Sequence, residues 1–274
     1  MTLEQYMREL WLMDKQYGQE EELYPLINML LRDGPNTEKL SIRDVHKGQR
    51  IKTENKNKNV EQRKYIDGFG SFPDLAIFDE SFPEKENIDS NLQKIYGCVE
   101  AKCISQELIE CLDLNTIEII CEENKKKRKN EEDNWIGYYV KKNKTLLNGS
   151  DGGATPAGQL LGELFWYGKV LYTNGVIWKY YTLSKESGNK INGIRKDYIS
   201  NPPSKGEVGY KTWIFEQCKE TPLKIKSKNI GDLTKIYNKI KDKTSIPTFN
   251  FQDYHKWKKF KTNLAAINWT KDIF

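Results

Sequence analysis

Three ionisable side chains stand at the ends of two short apolar runs between residues 73 and 102. Asp74 precedes Leu-Ala-Ile-Phe, and Glu100 and Lys102 end a run that reads Cys-Val-Glu-Ala-Lys. If both runs are strands, successive side chains alternate between faces, so Glu100 and Lys102 project on the same side. If the two strands pair as a hairpin, Asp74 comes close to Glu100, and two carboxylates and an ammonium converge.

Such a group predicts a particular chemistry. Mg²⁺ takes oxygen ligands, often only one or two carboxylates, and leaves its other positions to water and substrate phosphate. We therefore expect Asp74 and Glu100 to bind Mg²⁺ in a site for phosphodiester hydrolysis. Lys102 would orient the attacking water or neutralise a phosphate oxygen. An ordinary hairpin with exposed charges is the alternative interpretation.

The motifs Pro73-Asp74 and Glu100-Ala101-Lys102 resemble those of the PD-(D/E)XK nucleases, which include restriction enzymes and related repair and defence nucleases. The resemblance implies an α/β fold with a restriction-endonuclease-like core, in which helices flank a central mixed β-sheet. It also implies a Mg²⁺-dependent DNA endonuclease, with Mn²⁺ able to substitute, that acts in restriction or anti-phage defence. Its catalytic residues would be Asp74, Glu100 and Lys102.

Residues 158–183 carry a second resemblance, to the nuclease domain of type I restriction motor subunits. There a helix with a glutamine leads into a strand, a Thr-Asn-Gly turn and a strand with a tryptophan. Gln159, Thr173-Asn174-Gly175 and Trp178 match this pattern, but Glu163 stands where that group has a tyrosine. Gln159 is thus either a supporting site residue or a solvent-facing helix residue, and Glu163 offers a further acidic group.

Apolar residues at helical spacing predict two helices before the motif, over residues 3–16 and 20–33. Nucleases of this family open with such a helix, and many carry on it a glutamate that supports the metal site. Glu20, Glu21 and Glu22 are the candidates, and Glu21 or Glu22 is our choice. Acids also suit the first turn of any helix because they complement its dipole.

The remaining segments are predicted from turn residues and charge. Residues 36–64 are polar and indicate a mobile loop, residues 65–70 a strand, and residues 212–218 another strand. We place the nuclease core at residues 1–218, with an insertion at about residues 103–157. That insertion should hold a helix near residues 105–120, a solvated charged loop, and a glycine-rich segment before the Gln159 helix.

Residues 219–274 form a basic and mainly helical C-terminal segment in our prediction, with one helix over about residues 231–243. They hold thirteen lysines against five acids, a balance of +8; because the whole chain carries +5, residues 1–218 carry −3. Lysines that neutralise phosphates give salt-sensitive affinity, and aromatic rings between them can stack on bases. An ordinary lysine-rich surface helix is the alternative. The predicted nucleic-acid-binding residues are Lys256, Lys258, Lys259 and Lys261.

Composition excludes several other classes. The five cysteines are odd in number and lack CxxC spacing, which argues against a disulfide framework or a zinc ribbon. Only two histidines are present, so a histidine-rich metal site is excluded. No apolar run is long enough to span a bilayer and the N-terminus does not read as a signal peptide, which predicts a cytoplasmic protein without a membrane partner.

DNA is the expected partner. Cleavage of both strands at one place needs two active sites, which favours a homodimer or nicking, and separate defence-system subunits could supply other activities. Two rival functions stay open: a nucleic-acid-binding module of the same fold that has lost catalysis, and an RNase.

Overall fold

The chain folds around one large mixed β-sheet with helices on both faces. A computed structural model describes residues 1–16, 18–34, 37–45, 64–69, 72–83, 87–110, 112–128, 131–203, 212–271 and 273–274. This architecture confirms the α/β class and the central mixed sheet flanked by helices.

The described strands lie in two sheets. They are β1 (Leu40–Asp44), β2 (Leu75–Asp79), β3 (Ile95–Ala101), β4 (Thr116–Ile117), β5 (Ile119–Arg128), β6 (Glu131–Val140), β7 (Thr145–Leu146), β8 (Lys169–Thr173), β9 (Ile177–Leu183) and β10 (Leu223–Asp232). Within the described residues, the large sheet has seven strands in the order β1-β2-β3-β8-β9-β10-β4. Of its neighbouring pairs there, only β3 and β8 run parallel, and the other pairs are antiparallel. A smaller sheet has the order β5-β6-β7.

The helices divide between the two faces of the large sheet. They are α1 (Leu3–Gln16), α2 (Leu23–Arg32), α3 (Ile88–Gln93), α4 (Pro156–Tyr167), α5 (Lys185–Ser200), α6 (Trp213–Gln217), α7 (Thr234–Tyr237) and α8 (Phe251–Ala265). One face packs against α1, α2, α7 and α8, and the other packs against α3, α4, α5 and α6. A 3-10 turn, Glu20–Glu22, leads directly into α2.

The two predicted N-terminal helices are confirmed, as are the β2–β3 pair and the helix-strand-strand unit formed by α4, β8 and β9. The sequence patterns of these elements predict them clearly, because each element buries a regularly spaced set of apolar residues. In β2, for example, four of the five residues are buried, with only Asp79 partly exposed.

The predicted insertion contains strands where we expected a helix and a loop. Residues 105–110 have no helix, and the charged run lies in the β5–β6 hairpin. The two strands pair residue by residue in an antiparallel register, from Ile119 opposite Val140 to Arg128 opposite Glu131.

Four other segment predictions are corrected. Residues 64–66 form a helical turn instead of a strand, residues 212–218 hold α6, and the helix expected over residues 231–243 shrinks to the four-residue α7. The predicted loop over residues 36–64 contains β1, and its residues 46–63 lie outside the described part of the chain. Short apolar runs such as Trp-Ile-Phe suit a strand or a buried helix equally.

The large sheet continues past the predicted core boundary at residue 218. β10 lies between β9 and β4, and α8 packs against it, so the C-terminal region belongs to the same sheet and core. Among the described helices, none combines the length and the apolar character needed to cross a membrane.

Candidate active site

Asp74 and Glu100 lie side by side at one end of the β2–β3 pair. Leu75 pairs with Val99 in the antiparallel register, and the Asp74 backbone N–H donates to the Val99 carbonyl at 3.1 Å. Asp74 is therefore opposite Glu100, and directly opposite residues project from the same face. Both side chains are buried, with 5% and 2% exposure.

The face on which they project follows from their neighbours. Val99 and Ala101 contribute to the core beneath α1, α2 and α8, whereas Cys98 contributes to the core beneath α4. Because side chains alternate along a strand, Glu100 points toward α4. Asp74 is fixed at two points: Tyr24 donates its hydroxyl to Oδ1 at 2.5 Å, and the Ala101 N–H donates to Oδ2 at 2.6 Å.

Lys102 completes the group. Its backbone N–H donates to the Thr173 carbonyl at 2.8 Å, which continues the parallel pairing of β3 with β8. Its ammonium donates to Glu100 Oε1 at 2.5 Å and lies 3.5 Å from Glu20 Oε2. Carboxylates thus position the Lys102 ammonium. The lysine side chain as a whole keeps 14% exposure.

The carboxyl groups raise one another's affinity for protons. Burial raises the pKa of Glu100 to about 8, with a further contribution from Asp74, while Lys102 opposes the shift. Burial lowers the pKa of the Lys102 ammonium, but Glu100, Glu20 and Asp74 outweigh it and raise that pKa above its usual range. Lys102 therefore stays charged at neutral pH.

Gln159 and Glu163 lie against Glu100 from α4. Gln159 Nε2 is 3.1 Å from Glu100 Oε1 and 3.1 Å from Glu163 Oε1, and it lies 3.4 Å from the Phe72 carbonyl. Because all three partners are acceptors, the amide presents its nitrogen to Glu100. Glu163 is fully buried, and burial raises the pKa of its carboxyl group, with Glu100 and Asp74 adding to the effect.

The start of α4 determines where Gln159 sits. The Thr155 side chain accepts from the Gly158 N–H and caps the helix, and Pro156 occupies its first turn, where no amide hydrogen is needed. Gly158 lies against the chain before the helix: a Cβ there would be 1.9 Å from the Leu147 carbonyl oxygen. This close approach brings the first turn of α4 down onto the site.

The first acid of the Glu20–Glu22 turn, which we did not choose, is the one that contacts Lys102. Burial raises the pKa of Glu20, and the negative charge of Asp74 raises it further. The Lys102 ammonium lies 3.5 Å from Glu20 Oε2, whereas Glu22 has a buried Oε2 without a hydrogen-bond partner among the described residues. Sequence reasoning also missed Tyr24, although its position four residues after Glu20 places both on one side of a helical turn.

The residues fit a hard divalent cation. Glu100 Oε1 is engaged by Lys102 and Gln159, whereas Glu100 Oε2 is buried and has no hydrogen-bond partner among the residues that the structure describes. An orphaned carboxylate oxygen beside Asp74 is a suitable ligand for Mg²⁺ or Mn²⁺. No group of three or more His, Cys, Asp or Glu side chains with metal-binding geometry occurs within the described ranges. Asp74 and Glu100 are the residues that would hold such an ion, with water and substrate oxygens completing its coordination.

The predicted nucleic-acid-binding lysines all lie on α8, but they differ in surroundings. Lys256, Lys258 and Lys259 are exposed, whereas Lys261 is half-buried and pairs with Asp33 at 2.5 Å. The aromatic residues between them, Trp257 and Phe260, are buried and pack toward the sheet. They are thus unavailable to stack on bases.

Comparisons of the chain with protein-family models, with curated proteins and with solved structures give no match.

Proposed function

We propose that the protein is a metal-dependent endonuclease that hydrolyses DNA phosphodiester bonds on a restriction-endonuclease-like core. The observation that carries the proposal is the convergence of three side chains at one sheet end. Asp74 lies opposite Glu100 on paired strands, and the Lys102 ammonium is 2.5 Å from Glu100 Oε1.

Each residue has a distinct task in this proposal. A bound Mg²⁺ would lower the pKa of a water ligand and offset the negative charge on the phosphate. Asp74 is held by Tyr24 and the Ala101 N–H, so its carboxylate is positioned before metal arrives. Glu100 offers Oε2, because Lys102 and Gln159 occupy Oε1. Lys102 neutralises a phosphate oxygen or orients the attacking water.

The burial of these acids favours an enzyme over a binding module that has lost catalysis. Placing Asp74, Glu100 and Glu163 together costs stability, since like charges and desolvation both oppose ionisation. Binding a polyanion gains nothing from such a cluster. The costly arrangement is what a metal-dependent active site requires.

The biological setting rests on the motif resemblance. We place the enzyme in a cytoplasmic restriction or anti-phage system, acting on DNA either as a homodimer that cuts both strands or as a nicking monomer. Partner subunits of such a system could direct it to its substrate.

Cleavage of supercoiled plasmid tests the proposal. We expect the protein to convert plasmid to nicked or linear DNA with Mg²⁺ or Mn²⁺, and to lose this activity with a chelator. Asp74→Ala and Lys102→Ala should each reduce the cleavage rate by about a hundredfold or more, because each removes a group that stabilises charge in the transition state.

Matched controls are Glu38→Ala and Lys142→Ala, which alter exposed residues away from the site and should cleave normally. A parallel assay with structured RNA separates a DNase from an RNase. If the wild type binds DNA but cleaves nothing with either metal, the proposal is wrong and the binding module is favoured.

A further inference from the structure

The solvent-facing side of α8 combines exposed aromatic rings with exposed lysines. The helix begins with a capping box, in which Asn250 accepts from the Asp253 N–H and Asp253 accepts from the Asn250 N–H. Trp257, Phe260 and Leu264 fix the inner side in the core. The outer side is therefore held in a defined position on a well-anchored helix.

Phe251 is the most exposed large apolar residue described, at 83% exposure. Tyr254, one turn further on, has 43% exposure, and its hydroxyl donates to Glu4. A single exposed apolar residue is common on protein surfaces. Two aromatic rings three residues apart on one helix face, followed by lysines, form a more specific surface.

Lys258 and Lys259 continue this face. Lys258 is seven residues after Phe251, which is two helical turns or about 10 Å along the axis. Lys239 and Lys261, on the borders of α8, pair with Asp253 and Asp33. Lys258 and Lys259 make no ion pair with any residue in the described ranges, so their charges face solvent without local neutralisation.

Packing contacts connect the inner side of α8 with the strand end that carries Lys102. The Trp257 ring lies 5.0 Å from the Tyr6 ring, and the Tyr6 hydroxyl donates to the Gly175 carbonyl at 2.5 Å. Gly175 lies in the turn that follows Thr173, whose carbonyl accepts from the Lys102 N–H. α8 itself packs on the sheet face opposite to α4, the helix toward which Glu100 points.

We propose that the face of α8 formed by Phe251, Tyr254, Lys258 and Lys259, here called the α8 face, binds single-stranded nucleic acid. The inference rests on the proposed function, because the strand it holds would be part of the substrate. Phe251 stacks on an unpaired base, which a continuous duplex does not offer, and Lys258 and Lys259 contact phosphates. The preferred substrate would then be DNA with a single-stranded end or gap.

Charge decides between this occupant and a protein. A protein docking on Phe251 would bury apolar area and would need acidic groups to match the lysines. Nucleic acid supplies both the negative charge and flat rings of the right kind for Phe251 and Tyr254. If the α8 face instead binds only a protein partner, substitution of these residues will leave the affinity for nucleic acid unchanged.

Fluorescence anisotropy with a labelled single-stranded oligonucleotide, and with the duplex of the same sequence, tests the α8 face. All titrations contain a chelator, so that cleavage plays no part. Phe251→Ala should weaken single-strand binding about tenfold, because one base-stacking contact is lost, and Phe251→Trp should restore it. The affinity of Phe251→Ala for duplex should differ from that of the wild type by less than about twofold, because a duplex has no unpaired base on which Phe251 could stack.

The lysines should act differently. Lys258→Ala with Lys259→Ala should lower the slope of log affinity against log salt concentration by about 1.4, that is about 0.7 for each phosphate contact to a single strand. Phe251→Ala should leave that slope unchanged. The controls are Met29→Ala, which removes another exposed apolar side chain, and Lys142→Ala; both should bind like the wild type.

The outcomes separate this inference from the proposed function. If Phe251→Ala binds single strands normally, or loses as much affinity for duplex as for single strands, the α8 face is not a single-strand-binding site, even if the wild type cleaves plasmid. If the wild type binds single strands through Phe251 but cleaves nothing with Mg²⁺ or Mn²⁺, the single-strand proposal holds and the nuclease proposal fails.

Discussion

Glu100 is the residue whose charge state most affects the site. Burial and Asp74 raise the pKa of its carboxyl group to about 8, so in the metal-free protein it is mainly protonated below that pH. In the proposed metal site, a divalent cation would bind the ionised form and would therefore have to displace the proton. Metal affinity would then depend on the protonation of Glu100.

The linkage predicts a pH-dependent metal affinity. Between about pH 6 and about pH 8, the Mg²⁺ concentration needed to raise the melting temperature by a fixed amount above its metal-free value should fall about tenfold per pH unit. Above about pH 8.5 it should level off, because Glu100 is then already ionised. Thermal unfolding with increasing Mg²⁺ concentration, repeated at several pH values, measures this dependence.

Glu100→Gln is the informative variant, because it removes the titrating group while its amide oxygen can still accept from Lys102 and Gln159. It should show little metal-induced stabilisation at any pH. A wild-type protein whose Mg²⁺ requirement is flat between about pH 6 and about pH 8 would contradict the linkage.

The pattern of residues predicted part of this site and not the rest. Asp74, Glu100 and Lys102 could be proposed because strand alternation alone puts Glu100 and Lys102 on one side. The contacts of Tyr24 and Glu20 could not be predicted, since they depend on where the 3-10 turn and the start of α2 lie relative to the ends of β2 and β3. Within Glu20–Glu22, sequence offered three equivalent acids, and only the three-dimensional path of the turn separates them.

At the level of elements, α4 carries Gln159 and Glu163 against the sheet. Gly158 allows its first turn to lie against the Leu147 carbonyl, where a Cβ would be only 1.9 Å from the oxygen. An alanine would force the helix start or the preceding chain to move. Because Gln159 is the next residue, that movement would also displace the amide from Glu100.

We therefore expect Gly158→Ala to lower the free energy of unfolding by about 2 to 3 kcal/mol, the cost of inserting a methyl group into a closely packed place. It should also reduce plasmid cleavage. Urea unfolding measures the first effect.

Gly193→Ala is the matched control in α5, because nothing lies within 4 Å of its added Cβ. It should be neutral or stabilise by up to about 1 kcal/mol, since alanine favours a helix over glycine. Equal stability of the two alanine variants would show that the start of α4 tolerates displacement, contrary to our account.

Element prediction succeeded where periodicity was long and failed where it was short. The fourteen residues of α1 repeat apolar positions over several turns, which few alternatives match. Ile214 and Phe215 in the five-residue α6 are equally compatible with a buried strand. β4 has only two residues, and its pairing with β10, more than a hundred positions later, cannot be recognised from local sequence.

The whole molecule joins an acidic site to a basic surface within one sheet-centred fold. Residues 1–218 carry −3 and residues 219–274 carry +8, yet β10 and α8 of the second segment belong to the same sheet and core. A change of composition along the chain therefore marks a change of surface charge here, not the end of the central sheet. A polyanion can approach the basic side while the acids stay buried.

The central claim is that Asp74 and Glu100 hold one divalent cation beside Lys102. Calorimetric titration of Mn²⁺ into the metal-free protein at about pH 8.5, where Glu100 is ionised, tests it most directly. We predict one binding site in the wild type, with affinity lost at least about tenfold in Asp74→Asn and in Glu100→Gln, and unchanged in Glu38→Gln. Mn²⁺ binding of equal strength in the wild type and both site variants, or none in the wild type, would contradict the account.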